Sequence, residues 1–465
     1  MDTIPYDPSE VFQVEDTIPG DCTIYNFSND LINLLLLTVS PSSYVSLIHT
    51  CKLFSSIERK LTRTEIVEDS LTIEAPDMFW YLLELKFDVS DIAICSMIAF
   101  RGNLPLLKWA HKNGYQDTRT RFWAAKGGHL EILKYLHENG YPWDEDTCAV
   151  AAEYGHLDLL KWLRENGCPW NKWTCSCAAG SGHLEVLKYA HENRCPWDEL
   201  TCSNAAGYGH LEILKYLREN GCPWNDWLGC SAADGGHIPV LEWIKEIGYK
   251  WDTSICSYAA KGGHLNVLKY VRERGCPWDE HTCISAAQNG HLDVLKWAHN
   301  NGCTLHHNAH DFAAQNGHLN VTKYLYESGC QWSPYVSINA ARNGHFELLK
   351  WVREHGCSWN EQTSAAAVSG GHFNILKWLR KHGCPWDERV SACAAQEGHL
   401  EILEYLYDNG CPWNEDTCLN ACLQGNLEIL KYAREHGCPW DRRRCLQYVY
   451  NIDHIEMANW IRSQP

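Results

Sequence analysis

Apolar and polar residues follow short helical patterns that are interrupted by glycine-containing turns. In one segment Leu184, Leu187 and Ala190 recur with helical spacing and define one apolar side. The segment before it begins at Asn171, a residue type that suits a helix N-cap because its side chain accepts from free N–H groups. Gly182 separates the two segments and permits a turn with positive φ. The pattern therefore predicts two short helices joined as a hairpin.

The hairpin pattern recurs with a fixed period of 27 residues. Its marker is a glycine that is followed by histidine in eleven of twelve copies, the exception being Asn426. The twelve glycines are Gly128, Gly155, Gly182, Gly209, Gly236, Gly263, Gly290, Gly317, Gly344, Gly371, Gly398 and Gly425. One hairpin is too small to bury its own apolar face, so neighbouring hairpins must share a core. The sequence predicts an all-α fold, an α-solenoid of about fourteen stacked helical hairpins over residues 75–465, with a small N-terminal helical domain.

Three sets of positions keep one residue type from unit to unit. An Ala-Ala pair recurs every 27 residues from position 124, and small side chains there let neighbouring helices approach closely. A Tyr or Trp occupies each of twelve positions from 135 to 432, and a Trp series from 143 to 440 is interrupted only by Leu305. Two interpretations are open: a structural ladder of rings and an aromatic ligand site. The ladder is favoured because each ring buries a large area against the next unit.

The unit resembles the ankyrin repeat, whose pattern contains Ala-Ala-x-x-Gly-His and closes with a Gly-Ala-x-Val-Asn turn. Ala151, Gly155, His156 and Gly167 occupy matching positions, and Trp170 is similar to the closing valine. Ankyrin units usually have about 33 residues. The residues missing here fall where that family forms a β-hairpin finger. Short units that end in Gly-Cys-Pro-Trp are similar to the expanded ankyrin families of giant DNA viruses and some protists.

The N-terminal region differs in composition, since residues 1–100 carry 16 acidic and 5 basic side chains. We predict a disordered acidic tail over 1–20. Residues 21–64 resemble an F-box, although Phe27-Ser28 replaces its opening Leu-Pro. The resemblance implies a three-helix bundle that binds the Skp adaptor of cullin–RING ubiquitin ligases. The adaptor-binding residues that it implies are Leu31, Leu35, Pro41, Tyr44, Leu47, Cys51 and Phe54. The alternative is that this segment is only a cap on the end of the solenoid.

Charge and targeting signals narrow the class of protein. The net charge of −18 argues against a general nucleic-acid binder, which needs a basic face. The first residues are acidic and contain Pro5, unlike a signal peptide. The longest apolar run, 31–39, is less than half of a membrane span. We therefore expect a cytoplasmic protein, or one in the host cytoplasm if it is viral, with no membrane association and with reduced thiols.

The abundant Cys and His are residue types that catalytic and metal-binding sites use. The chain contains no Gly-x-x-x-x-Gly-Lys-(Ser/Thr), no His-Glu-x-x-His and no Cys-x-x-Cys. Buried reduced thiols explain the cysteines better than zinc, and the Gly-His histidines suit capping or hydrogen bonds between repeats. One irregular unit contains His306, His307 and His310, of which the first and last would share a face if the segment were helical. A metal site there is the alternative to repeat drift; we predict no enzyme and no cofactor.

Positions that vary while the repeat frame stays fixed are candidates for partner recognition. A lysine series from 134 to 431 could form a basic stripe, but acidic or amide residues three positions earlier indicate a solvated helix face. A second series, from 146 to 416, changes in almost every unit. From it we predict that Trp173, Trp227, Tyr335 and Arg389 contact a protein, because aromatic residues and Arg make good anchors. The alternative is neutral drift. The predicted function is a protein–protein interaction scaffold, and the F-box resemblance implies a ligase subunit that recruits a substrate.

Overall fold

The computed structural model describes residues 94–451 and 454–464. These residues form 28 helices and no strand. Two helices make each hairpin, so odd-numbered helices are first helices and even-numbered ones are second helices. The first helices are α1 Ile94–Arg101, α3 Thr120–Lys126, α5 Glu145–Glu153, α7 Lys172–Gly180, α9 Glu199–Gly207, α11 Trp227–Asp234, α13 Thr253–Lys261, α15 Glu280–Gln288, α17 Asn308–Gln315, α19 Val336–Arg342, α21 Glu361–Ser369, α23 Glu388–Gln396, α25 Glu415–Leu423 and α27 Arg442–Asn451. The second helices are α2 Leu104–Lys112, α4 Leu130–Glu138, α6 Leu157–Glu165, α8 Leu184–Glu192, α10 Leu211–Glu219, α12 Ile238–Glu246, α14 Leu265–Glu273, α16 Leu292–Asn300, α18 Leu319–Glu327, α20 Phe346–Glu354, α22 Phe373–Lys381, α24 Leu400–Asp408, α26 Leu427–Glu435 and α28 Ile455–Ser463.

The chain divides into two compact units, Met1–Glu138 and Asn139–Pro465. In the described part of the first unit, α1 to α4 form two hairpins, and α1 packs against α3. In the second unit, twelve hairpins follow one another as stacked helical repeats. The predicted all-α solenoid of hairpins is confirmed. The predicted boundaries at residues 20, 64 and 75 lie outside the described residues and stay predictions.

Each hairpin forms for local reasons that the sequence contains. At the start of α7, the Asn171 side chain accepts a hydrogen bond from the Trp173 backbone N–H at 2.9 Å, as an N-cap does. The helix ends at Gly180, and Gly182 makes the turn with φ of 84°. The connection from α8 to the next unit contains Arg194, whose φ of 63° is also positive, where most other units have a glycine. The connections contain no strand in the described residues. In the described units, a short connection without a strand therefore occupies the place where ankyrin repeats form a β-hairpin finger.

Small residues place the first helices close together. The Ala pairs of the first helices are fully buried, as are Leu187 and Ala190 of α8. First helices of successive units pack against each other along the stack more extensively than second helices do. This difference follows from side-chain size, because alanines bring helix axes nearer than leucines and aromatic residues can.

In several units, the histidine that follows the turn glycine joins one repeat to the one before it. His210 Nε2 donates to the Gly180 carbonyl at 3.0 Å, and His237 makes the same bond to Gly207 at 3.0 Å. A Cβ added at Gly182 would lie 2.7 Å from the His210 ring. Glycine is therefore needed there both for its backbone angle and for the space that the ring occupies. The predicted hydrogen bonds between repeats are confirmed.

The tryptophans form the predicted ladder, with one component that the sequence analysis missed. Trp278 meets Trp297 of the next unit edge to face, with ring centroids 5.9 Å apart. A cation six residues earlier in the chain covers the indole, as Arg272 covers Trp278 at 4.0 Å. The same arrangement, at 3.9–4.7 Å, occurs in Arg164–Trp170, Arg218–Trp224, Lys245–Trp251, Arg272–Trp278, Arg353–Trp359, Arg380–Trp386 and Arg434–Trp440.

The cysteines are core residues. All cysteines of the described residues are free, and most are buried. Cys195 donates to the Asn171 carbonyl at 3.3 Å, and Cys276 donates to the Asp252 carbonyl at 3.3 Å. Each such bond satisfies the backbone at the start of the preceding first helix. Burial raises the pKa of the Cys357 thiol to about 11, so this thiol stays protonated and packs as a small apolar group.

Candidate functional site

The first helices of the second unit present an exposed surface that we call the open face. It consists of the second residue of each first helix or its equivalent, at positions 146 to 416, and of the mostly half-buried or exposed residues four and seven positions later. The second helices, by contrast, carry the aromatic ladder. The open face is where residue types change between units whose backbone stays the same.

A stripe of exposed apolar side chains crosses three successive first helices of the open face. Trp173, Leu200 and Trp227 are 49%, 39% and 55% exposed. They stand at equivalent positions of α7, α9 and α11, so they are neighbours along the stack. Trp227 also meets Tyr258 of the next first helix edge to face, at 5.7 Å. Apolar groups exposed in this contiguous way are typical of a protein-binding surface.

Further along the open face, a groove of about 450 Å³ includes Ser254, Tyr258, Lys261, Asp279 and His281 in its lining; we call it the Lys261 groove. Its basic groups are paired. Lys261 Nζ lies 2.9 Å from Asp234 Oδ2, and His281 Nδ1 lies 3.4 Å from Asp279 Oδ1. The groove is therefore close to electrically balanced.

A second groove of about 450 Å³ is formed by equivalent positions of α19, α21 and α23; we call it the Arg342 groove. Its lining includes Tyr335, Asn339, Arg342, Gln362 and Arg389, and it includes no carboxylate. Tyr335 is 57% exposed, so its ring is available to a partner. Two guanidinium groups and an exposed phenol ring thus face one depression of a chain that is strongly acidic elsewhere.

The structure brings two of the four predicted contact residues together. Tyr335 and Arg389 line the Arg342 groove, whereas Trp173 and Trp227 belong to the apolar stripe. Their role in binding stays a prediction. The prediction omitted Leu200, although it occupies the same repeat position as the two tryptophans and could have been found by following that position.

Arg342 was also omitted from the predicted set. Arg342 ends α19, and Tyr335 is the N-cap of the same helix. The two residues are seven positions apart, which is about two helical turns, so they lie on one face. That spacing, applied to each varying position, would have predicted the groove. The predicted adaptor-binding residues Leu31, Leu35, Pro41, Tyr44, Leu47, Cys51 and Phe54 lie outside the described residues.

In the irregular unit that contains His306, His307 and His310, the first and last histidines do not share a helical face, contrary to the expectation for a helical segment. Helix α17 begins at Asn308, so His306 precedes it and does not share a helical face with His310. His310 is fully buried, and its Nδ1 donates to the Gln331 carbonyl at 3.2 Å. Burial lowers the pKa of His310 to about 4. Among the described residues, no group of three or more His, Cys, Asp or Glu side chains could hold a metal ion.

Five lysines of the series form ion pairs on the solvated side of the second helices, as predicted. Lys188 Nζ lies 2.7 Å from Glu185 Oε1, and both side chains are substantially exposed. The same pairing three residues apart occurs in Lys134–Glu131, Lys161–Asp158, Lys215–Glu212 and Lys350–Glu347. Within the described ranges, no helix is both long and apolar enough to cross a membrane.

Comparison with known protein families agrees with the geometry of the repeats. The model described as "Ankyrin repeats (many copies)" matches residues 148–191, and "Ankyrin repeats (3 copies)" matches residues 337–417. The chain therefore contains ankyrin repeats. Such repeats indicate a protein–protein interaction scaffold, and their fold is typically a non-catalytic one.

Three solved structures with similar regions are repeat proteins. The human ASB11 ankyrin repeat domain is 19% identical, with a TM-score of 0.30, and the match covers 34% of this chain and 84% of that one. The pentatricopeptide repeat protein PPR10 in complex with an 18-nt psaJ RNA element is 13% identical, with a TM-score of 0.31, covering 93% and 78%. PPR10 from maize has a TM-score of 0.28 at 13% identity, covering 94% and 78%. No curated protein matches the chain.

Proposed function

We propose that the chain binds a partner protein through the open face of its ankyrin repeats, with Trp173, Trp227, Tyr335 and Arg389 as contacts. The observation that carries the proposal is the exposure of large aromatic groups on an otherwise well-packed helical stack. Trp227 and Tyr335 are each more than half exposed. Large aromatic residues are frequent hot spots of protein interfaces because they bury much area with little loss of conformational freedom.

The test compares partner capture by the full chain and by a variant with alanine at all four positions. We expect the four-alanine variant to lose the proteins that the original chain captures. A matched control replaces Glu165, Glu219, Glu273 and Glu354, which are exposed near the ends of second helices, with alanine. Unchanged capture by the four-alanine variant, or equal loss by the control, would reject the proposal.

The more specific form of the proposal is that the chain is the substrate-recruiting subunit of a cullin–RING ubiquitin ligase. In it, residues 21–64 bind the Skp adaptor, and the repeats bind the substrate. Support comes from the ungapped F-box-like spacing of Pro41, Tyr44, Leu47 and Cys51 in the sequence. The alternative is an ankyrin scaffold or decoy with no link to a ligase, in which residues 21–64 are only a cap on the solenoid.

Co-precipitation with purified Skp adaptor separates these two forms. The ligase form predicts that the full chain retains the adaptor and that deletion of residues 1–60 abolishes retention. Single substitutions Leu35→Asp and Leu47→Asp should each weaken retention in a chain whose repeats keep their helical circular dichroism. Absence of adaptor binding by the full chain would leave the plain scaffold as the function.

A further inference from the structure

The two grooves of the open face are built from equivalent positions but differ in charge. Arg342 and Lys261 both end a first helix, three units apart in the repeat. Lys261 pairs with Asp234, which stands 27 residues earlier. The residue 27 positions before Arg342 is Gln315, which has no charge to offer. One amide in place of one carboxylate thus leaves the cation of the second groove without its intramolecular partner.

The surroundings of Arg342 leave its charge available. Among the described residues, its guanidinium lies within ion-pair distance of no carboxylate and takes part in no side-chain hydrogen bond. The N-cap of α21, the helix next to Arg342, is Asn360, where the equivalent helix of the Lys261 groove has Asp279; the N-cap of α23 is Asp387. An unpaired guanidinium presents five N–H donors in a planar fork that matches a carboxylate.

The second guanidinium of the groove is held in position. Arg389 Nε donates to Asp387 Oδ2 at 2.7 Å, and its Nη2 lies 2.6 Å from the same oxygen. Asp387 thereby fixes the plane of the fork, while the remaining N–H groups of Arg389 stay available. Glu361 and Glu388, in the first turns of α21 and α23, are not part of the groove lining. The positive field is therefore local and has negative charges beside it.

We propose that the Arg342 groove binds an extended segment of the partner protein in which one acidic side chain is flanked by uncharged residues. The carboxylate pairs with Arg342, the neighbouring residue packs on the Tyr335 ring, and Arg389 donates to the segment. A continuous polyanion such as RNA is disfavoured, because Glu361, Glu388 and a net charge of −18 repel its other phosphates. This inference rests on the proposed function, since it names the chemistry of the partner at two of the proposed contacts.

The test uses four pools of fluorescein-labelled nonapeptides on the immobilised full chain. Each pool has Glu, Gln, Lys or Arg fixed at the centre and uncharged residues randomised around it. We expect recovery of the Glu pool to exceed that of the Gln pool by about tenfold, the size typical of one charge-assisted pair. Arg342→Glu should reverse the preference toward the Lys and Arg pools.

Lys261→Glu is the matched control, because it makes the same charge change at the equivalent position of the balanced groove. It should leave the preference for the Glu pool unchanged. Equal recovery of all four pools by the original chain would overturn the proposal. So would a loss of preference in Lys261→Glu as large as in Arg342→Glu, or displacement of the Glu pool by a single-stranded RNA decamer.

The outcome is separable from that of the proposed function. If the four-alanine variant loses its partner while the peptide pools are recovered equally, the open face binds a partner but this chemistry is wrong. If the Glu pool is preferred while partner capture survives all four alanines, the groove binds carboxylates and the proposed function is wrong. Thermal unfolding at an unchanged midpoint confirms that each variant is folded.

Discussion

The two sides of the helical stack differ in how much the sequence changes from unit to unit. On the second-helix side, a cation covers a Trp in seven units with nearly the same geometry. On the open face, one repeat position holds Trp173, Leu200, Trp227, Tyr335 and Arg389 in different units. Both sides contain aromatic rings, but only the rings on the second-helix side must fit against a neighbouring unit of fixed shape. Repetition marks the residues that build the stack, and variation marks those that are free to contact a partner.

The largest expected effect comes from breaking the ladder. Trp278→Ala removes the ring that contacts Trp297 and Arg272. We expect a loss of about 3 kcal/mol in the free energy of unfolding, the low end for a large aromatic, because Trp278 is only partly buried. Urea unfolding of the full chain followed by circular dichroism measures this change. A loss similar to that of an exposed-residue variant would contradict the structural role of the ladder.

The next largest effect is a pH dependence of stability that comes from His310, a titratable side chain buried in the helical stack. Its folded-state pKa is about 4, below the 6.5 of the ordinary side chain, so the unfolded chain takes up the proton first as pH falls. Stability from this group is therefore complete above pH 6.5 and decreases toward pH 4. The loss amounts to about 2 kcal/mol between pH 8 and pH 5, since each pKa unit corresponds to about 1.4 kcal/mol.

His310→Cys restores the residue that other units, such as the one containing Cys283, have at this position. The substitution should reduce the acid sensitivity of unfolding by about 2 kcal/mol at pH 5. Asp311 stays in place in both proteins; burial raises its pKa, and its contribution therefore cancels in the comparison. If the free energy of unfolding falls with pH equally in the original chain and in His310→Cys, His310 does not have the lowered pKa that its burial implies.

A smaller loss of stability is expected when the cation is removed and the Trp ring that it covers is kept. Arg272→Gln removes the charge above Trp278 and should cost about 1 kcal/mol, as expected for a partly exposed cation–π pair. Arg272→Lys should retain most of the stability, because Lys245 covers Trp251 at 3.9 Å in the same way. Equal destabilisation by both substitutions would assign the effect to the hydrogen bond that the Arg272 guanidinium donates to the Cys276 carbonyl, rather than to the charge.

The smallest effect on stability is expected on the open face. Trp227→Ala should change the free energy of unfolding by less than about 0.5 kcal/mol, because the ring is 55% exposed. The same substitution should weaken partner capture. This contrast with Trp278→Ala, in which one residue type is removed from each side, tests whether the two sides have different roles. A loss of 2 kcal/mol or more at Trp227 would make it part of the frame.

Much of the fold could be predicted from the sequence because repetition shows which positions are fixed. The N-cap at Asn171, the turn at Gly182, the buried Ala pairs and the bond from His210 all follow from local chemistry that recurs in most units. The cation over each Trp was missed, since the six-residue spacing of Arg272 and Trp278 is not a helical one. Their contact depends on the bend between helix and turn.

The candidate site was harder to predict because it depends on whether each charged side chain has an oppositely charged neighbour in the adjacent unit. Arg342 and Lys261 occupy the same repeat position, and nothing in that position distinguishes them. Their difference comes from Gln315 and Asp234, one unit earlier and on another helix. Only the stacking geometry shows that residues 27 apart contact each other through their side chains. The N-terminal prediction rests on the sequence pattern alone.

Oxidative footprinting of side chains tests the central claim most directly, because it compares the two sides in one sample. Hydroxyl radicals are applied to the full chain with and without its captured partner, and oxidation of each Trp and Tyr is measured by mass spectrometry. We predict that the partner protects Trp173, Trp227 and Tyr335 and leaves Trp278 and Trp359 unchanged. Protection of the ladder tryptophans with continued oxidation of the three open-face residues would contradict the account.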